Sequence, residues 1–482
     1  MAVSSIGVGS GLDLATLLSK LETAESQPLA AIQARATSYT TKLSAYSQVQ
    51  SALNVLKTAG DKLADPEFFK TVKAANSDSD VLSVTTGDTA VAGSYAIDVT
   101  QLAQSQSLVS TGQASAKTAI GSGTITINFG AIHGGSLDAA TGQYTGATFD
   151  ADPKRTPAQI TVGTGTNTLE GIRDAINKAN AGVSASVVND GSGTPNRLVL
   201  VSTQSGEAST MQISVAGDAA LKNLLAYDPA GTQTMKQTTV GQNAKLNING
   251  IDIVSAGNTV QEGIQGTTLT LAKIGASSLK LTSDTAAVST AITAFVNAYN
   301  GLQSTAAKLT AYDADAKKGA ALMGDQTLRT LLTRVRQTLT GAQAGGPDDM
   351  KVLSEIGVSF QKDGTLAVDS AKLSGALSKN LSGVAGLFSS GTGSTAGYGK
   401  QLSALVTEMT SSDGALTTAT NGVNTTLEDL SDQYNAVQAR VDSTVERYRA
   451  QFTQLDVLVN SLNNTMNYLT QQFDAMNGVS KK

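Results

Sequence analysis

The strongest constraint on this chain is a single apolar stripe near its C-terminus. Leu427, Leu430, Tyr434, Val437, Val441, Val445, Tyr448, Phe452, Leu455, Val459, Leu462, Met466, Leu469, Phe473 and Met476 form one series. Its steps alternate three and four, the spacing of one face of a helix. Two fours in succession, at Val437, Val441 and Val445, make a stutter that locally unwinds a coiled coil. At 1.5 Å per residue such a helix is roughly 75 Å long, more than one compact domain can cover. It must lie against the N-terminal helix, other copies of itself or another protein.

The last part of the stripe is chemically unusual. VLVNSLNNTMNYLTQQF, residues 457–473, contains no charged residue; between its apolar positions stand Asn, Ser, Thr and Gln. The solvated back of a helix ordinarily carries Lys and Glu. An uncharged polar back suits a surface that becomes packed in an assembly.

The other end of the chain is helical too. Ile32, Tyr39, Tyr46 and Leu53 recur seven apart with Leu29 and Leu43 in step, and Asp65-Pro66 ends the pattern. A shorter stripe, Leu14, Leu17, Leu18 and Leu21, precedes it and is expected to be cut off at Pro28. Isolated helices of that length are marginal in water. Between residues 71 and 284 the texture changes to alternating strands and Gly-rich turns: VLSVTTG, GSYAIDVTQL, GTITINF, RLVLVST, AKLNINGIDIV, GTTLTLAKI and SLKLTSD read as strands. One helix, LEGIRDAINKAN, interrupts them. Helices return after Asp284, with Asp325 and Asp369 as N-caps and an Asp363-Gly364 hairpin between them.

Helices from both ends around a β-rich middle imply nested domains, since domain termini commonly lie close together. The expected fold is α+β and multidomain: a helical coiled-coil stem from both chain ends, with two β-rich domains inserted. The divisions expected are 1–42, a partly disordered assembly segment; 43–70 with 285–426, the stem; 71–112 with 237–284, a β-rich domain; 113–236, a distal β-rich domain with one helix; and 427–482, the assembly helix.

Catalytic and ligand chemistry finds little purchase. Charged residues make up 15% of the 482 residues, against about 25% in ordinary chains. A net charge of −5 with no Lys/Arg run argues against nucleic acid. Cysteine is absent, so no disulfide or thiolate zinc site can form. His133, expected in or beside a hairpin loop, is the only histidine and has no partner for a metal site or a triad. GVGSG at Gly7–Gly11 precedes a helix but follows no strand, so it is not a dinucleotide fingerprint; Asp13 can cap that helix. Asp313 and Asp315 open like a calcium loop, but Lys317 and Lys318 stand where a ligand and Gly are required. No cofactor, metal or catalytic residue is expected. Nor does any stretch reach the ~18 apolar residues of a membrane span. The N-terminus lacks the basic and apolar regions of a cleavable signal peptide.

Five blocks carry a resemblance that spans nearly the whole chain. They are SIGVGSGLDLATLLSKLETAESQPL, GSYAIDVTQLAQSQSLVS, TLEGIRDAINKANAGVSASVVNDGSGTPNRLVLVSTQSGEA, LSEIGVSFQKDGTLAVDSAKL and RYRAQFTQLDVLVNSLNNTMNYLTQQF. In this order they resemble the flagellar filament cap family, also called hook-associated protein 2; the third resembles a repeat shared with flagellins. The resemblance implies an extracellular, non-enzymatic protein at the tip of the bacterial flagellum, exported by the flagellar secretion system. It implies a homo-oligomer, typically five-fold, under which flagellin folds and polymerises and which prevents its loss. It also implies contacts with hook–filament junction proteins and an export chaperone. A flagellin-like or junction subunit and a surface adhesin are the alternatives. The residues expected to make the assembly interface are Leu14, Leu17, Leu18, Leu21, Phe452, Leu455, Val459, Leu462, Met466, Leu469 and Phe473.

Overall fold

The computed structural model describes residues 11–343 and 350–479. It divides into two units, one of Met1–Phe69 with Thr285–Lys482 and one of Lys70–Asp284. Among the described residues the α-helices are α1 (Leu14–Ala64), α2 (Leu169–Lys178), α3 (Ala219–Leu225), α4 (Thr285–Thr310), α5 (Gln326–Thr340), α6 (Ser370–Lys379), α7 (Leu381–Ser389), α8 (Tyr398–Thr410) and α9 (Ala415–Val479).

The helical unit is built on α1. Its Val49, Leu53, Leu56 and Leu63 are fully buried against Ile292, Phe295 and Tyr299 of α4 and Leu402 and Val406 of α8. Each such side chain contributes about 1.5–3 kcal/mol relative to exposure, so this cluster holds the unit together. Helix α8 comes close to α1 because both present glycine: a Cβ on Gly399 would stand 2.7 Å from the Gly60 carbonyl oxygen. Asp325 caps α5 by accepting from the Leu328 amide at 3.0 Å. The same carboxylate accepts from Tyr46 Oη at 2.6 Å and pairs with Lys42 Nζ at 3.0 Å, tying α5 to α1. Asp13 and Asp369 cap α1 and α6 as expected. The Asp363-Gly364 turn joins the strands Val358–Phe360 and Leu366–Val368, with Gly364 at φ +86°.

Several sequence expectations need correction. Helix α1 does not stop at Pro28 but runs through it as one 51-residue element. Proline removes one backbone hydrogen bond and costs ~3 kcal/mol in a helix interior, but buried Leu18 and Leu29 anchor the helix on both sides of it. Helix α9 begins at Ala415, well before Leu427, because Leu416 and Val423 already pack into the stem core. The stutter lies two turns further on than the valines suggest. Thr444 is buried while Val445 is only half-buried, which moves the successive fours to Thr444, Tyr448 and Phe452. The Thr444 hydroxyl is satisfied by Arg447 Nη2 at 3.1 Å, so this polar side chain can occupy a seam position.

The second unit contains two apolar cores. In one, a five-stranded antiparallel sheet runs in the order Val72–Asn76, Gly275–Ser283, Gly93–Gln101, Ala244–Ile248, Ile251–Ser255. Its Ile97, Val99, Leu246 and Leu279 share a cluster with Leu82 and Leu269 from a three-stranded sheet. AKLNINGIDIV is not one strand but a hairpin. Asn249 and Gly250, at φ +51° and +89°, make the two-residue turn with positive φ at both positions.

The other core packs α2 and α3 against two four-stranded sheets, with Ile125, Ile127, Ile172, Leu198 and Tyr227 buried. The segment Ala219–Leu225 is thus a second helix where one was expected. At seven residues it is too short to show a periodicity. The strands Ser107–Val109 and Lys236–Thr239 pair with each other and join the sheet of Asn196–Ser202. Where they pair, Gln106 Nε2 donates to Gln237 Oε1 at 2.6 Å, and Tyr227 Oη donates to the same oxygen at 2.9 Å.

Candidate assembly surface

Two helices build the surface. Tyr448 Oη donates to Glu25 Oε1 at 3.5 Å, which fixes the register of α9 on α1. Leu416 and Val423 share the stem core with Leu53 and Leu56, so the helices run antiparallel. Both carry two steps of four at this place, Leu21–Glu25–Leu29 on one and Thr444–Tyr448–Phe452 on the other, all at least half-buried. Pro28 therefore falls where the two seams are already out of the regular alternation.

Counting eleven residues outward along each helix from that pair brings Leu14, the first residue of α1, opposite Val459. Up to there the seam is filled: Leu14 and Leu18 are buried, and Leu21, Phe452 and Val459 are half-buried. Leu455, at 39%, sits at the margin. Beyond Val459, α9 continues as a tail. Leu462 is 56% exposed, Met466 65%, Leu469 47% and Phe473 61%. The interface residues named from sequence thus fall into two groups, an inner one buried along α1 and an outer one left exposed among the described residues. Leu17 belongs to neither, since it points off the seam at 45% exposure. The Met476 side chain and residues 7–10 of the GVGSG segment lie outside the described residues.

The series of threes and fours missed three large exposed side chains, Val457, Leu458 and Tyr468. At 100° per residue Leu458 flanks the seam, whereas Val457 and Tyr468 stand on the far side of the helix. The signal available in sequence was their position on the uncharged back. Together with Asn460, Ser461, Asn464 and Thr465, Val457 and Tyr468 line a shallow hollow of 520 Å³.

Among the described residues no group of three or more His, Cys, Asp and Glu could hold a metal ion. His133 lies within the strand Gly123–Asp138, not in a loop, opposite Thr148. Its Nε2 stands 3.5 Å from Asp150 Oδ2, and both side chains are more than half exposed. Such a pair contributes little. The Asp313–Lys318 segment is a tight turn in which Asp313 accepts from the Asp315 amide at 3.0 Å. No helix among the described residues is long and apolar enough to cross a membrane.

Comparison with known proteins places the chain in a family. Profiles of the flagellar hook-associated protein 2 N-terminus and C-terminus match residues 10–106 and 241–464. A flagellin hook IN motif matches residues 145–204. The flagellar hook-associated protein 2 of Escherichia coli O157:H7 is 38% identical, over 98% of this chain and 98% of that protein. The chain belongs to the flagellar hook-associated protein 2 family. The Salmonella typhimurium protein of this family is also 38% identical, over 99% of both chains. The crystal structure of the flagellar cap protein FliD D1-D2-D3 domains from Escherichia coli aligns with a TM-score of 0.64 at 34% identity. It covers 79% of this chain and 99% of that one. The expected α+β architecture, a helical stem with β-rich domains inserted, is the one described above, and it aligns with that structure.

Proposed function

We propose that this protein is the cap of the bacterial flagellar filament. It sits at the growing tip, outside the cell, promotes the folding and polymerisation of flagellin, and prevents loss of flagellin monomers. Full-length similarity to the hook-associated protein 2 family supports the role. The observation that carries the working surface is the tail of α9, where an apolar seam that α1 fills as far as Val459 continues bare. Burial of that seam in an assembly offsets the entropy of ordering it. The same tail accounts for the partners expected: further copies of the chain in a ring, typically of five, with flagellin beneath and junction proteins at the hook. Before assembly an export chaperone covers the bare face. Export through the flagellar channel fits the same reading.

A deletion strain tests it. Cells lacking the protein should release monomeric flagellin into the medium and carry no filaments, and the gene supplied in trans should restore both. Filaments of normal length in the deletion strain would rule the cap role out.

A further inference from the structure

The long hairpin of Gly123–Asp138 and Gln143–Ala151 changes character half-way along. Its inner half carries Ile125, Ile127 and Phe129 into the core shared with α2 and α3. Among the described residues, none from 131 to 151 belongs to either apolar core of the unit. Where the two halves meet, Gly134 and Gly135 stand at φ +64° and +70°, and Gly146, opposite Gly135, at φ +72°. The pairing keeps one register on both sides, Ile132 with Phe149 and Leu137 with Tyr144, so the ladder passes the glycines without a bulge. A Cβ on Gly134 or Gly146 would meet no atom closer than 3.9 Å, so glycine serves the backbone there rather than a close approach.

The outer half ends against a sheet edge. Lys236–Thr239 is the last strand of its sheet, paired on one side with Ser107–Val109. On its other side the Gln237 amide donates to the Gly142 carbonyl at 2.9 Å, and Lys236 Nζ donates to the Ala140 carbonyl at 2.8 Å. Just upstream, the Gln233 carboxamide imitates a neighbouring strand. It accepts from the Tyr144 amide at 2.6 Å and donates to the Tyr144 carbonyl at 2.8 Å. The fit at the tip is close: a Cβ on Gly142 would stand 2.5 Å from the Gln237 carbonyl oxygen. We propose that residues 136–145 are a strap, hinged at Gly134, Gly135 and Gly146, that closes the free edge of Lys236–Thr239 and opens without either core unfolding. An open edge offers its unpaired N–H and C=O groups to any other chain, and the strap keeps them occupied. The closure consists of hydrogen bonds outside both apolar cores, each worth little net in water, which is the make-up of a segment that opens locally.

Hydrogen exchange on the full-length protein tests the strap. In the unsubstituted chain, peptide 136–145 should exchange at least about tenfold faster than 123–130, because an unlatched two-stranded hairpin frays in water. Gln233→Ala removes both bonds to Tyr144 and should speed 136–145 and 233–239 together by about tenfold, with 123–130 unchanged. Gly146→Ala should speed the same two peptides about fivefold, since a Cβ disfavours positive φ; Gly146→Asn, which tolerates it, should stay near the unsubstituted rate. Acceleration of 123–130 by the same factor would make the outer half an integral part of the core and overturn the proposal. Faster exchange of 136–145 with 233–239 unchanged would overturn it too, because the strap would then close no edge. No change in either peptide with Gln233→Ala, or equal rates for Gly146→Ala and Gly146→Asn, would remove the latch or the hinge and the proposal with it.

Discussion

Asp325 ties α5 to α1 through one carboxylate. Burial raises its carboxyl pKa, but hydrogen bonds from Tyr46, the Leu328 amide and Lys42, with the Lys42 charge, outweigh that and leave it lowered from 3.8. A lowered folded-state pKa gives stability that is complete above the unfolded value and lost as pH falls through the folded one. The stem should therefore lose this contribution only in acid, below about pH 4. Asp325→Ala removes the cap and strands Tyr46 and Lys42. It should lower stability by about 2 kcal/mol at neutral pH, measured by urea unfolding. The variant should also lack that part of the acid sensitivity. Equal losses at pH 7 and pH 3 would show the carboxylate is not the cause. At this scale much was legible: the caps at Asp13, Asp325 and Asp369 each announce themselves by an acidic residue before an apolar run. Thr444 was not legible, because a hydroxyl in a seam shows its fitness only once Arg447 is seen to satisfy it.

Among elements, the two long helices were visible as stripes, but their ends were not. Pro28 signals a break by local propensity, yet α1 continues because buried leucines on either side make up for one lost hydrogen bond. Tertiary packing overrides propensity there. In the β-rich unit, Lys236–Thr239 is short and polar and Ser107–Val109 is only three residues long, so neither reads as a strand; they pair with each other and, through Ser107–Val109, with Asn196–Ser202. For the tail, composition marked the region, while only the register at Glu25–Tyr448 tells which seam residues are filled and which are bare. Leu462→Asp with Leu469→Asp tests that division. Both positions are exposed in the single chain, so thermal stability should move by no more than about 0.5 kcal/mol. Capping should nevertheless be lost, because assembly would bury two carboxylates without partners. Normal filament growth on complementation with this variant would show that the outer seam is not an interface.

For the whole molecule, one unit is inserted in the sequence of the other. A stem that is continuous in space but interrupted in sequence holds α9, while Lys70–Asp284 carries its own cores and its own hydrogen bonds. A fragment spanning residues 70–284 should therefore fold alone, with a β-type circular dichroism spectrum and a cooperative melt; a disordered-chain spectrum would count against the nested layout. The central claim is that the end of α9, which has no partner among the described residues, gains one on assembly. Hydrogen exchange followed by mass spectrometry measures this most directly, comparing protein kept dilute enough to sediment as a monomer with protein on filament tips. Peptides across 462–473 should exchange fast in the monomer, while 427–448 are slow against α1, and the outer peptides should become slow once capped. Strong protection of 462–473 in the monomer would contradict the account, because the seam would then already be part of an internal core.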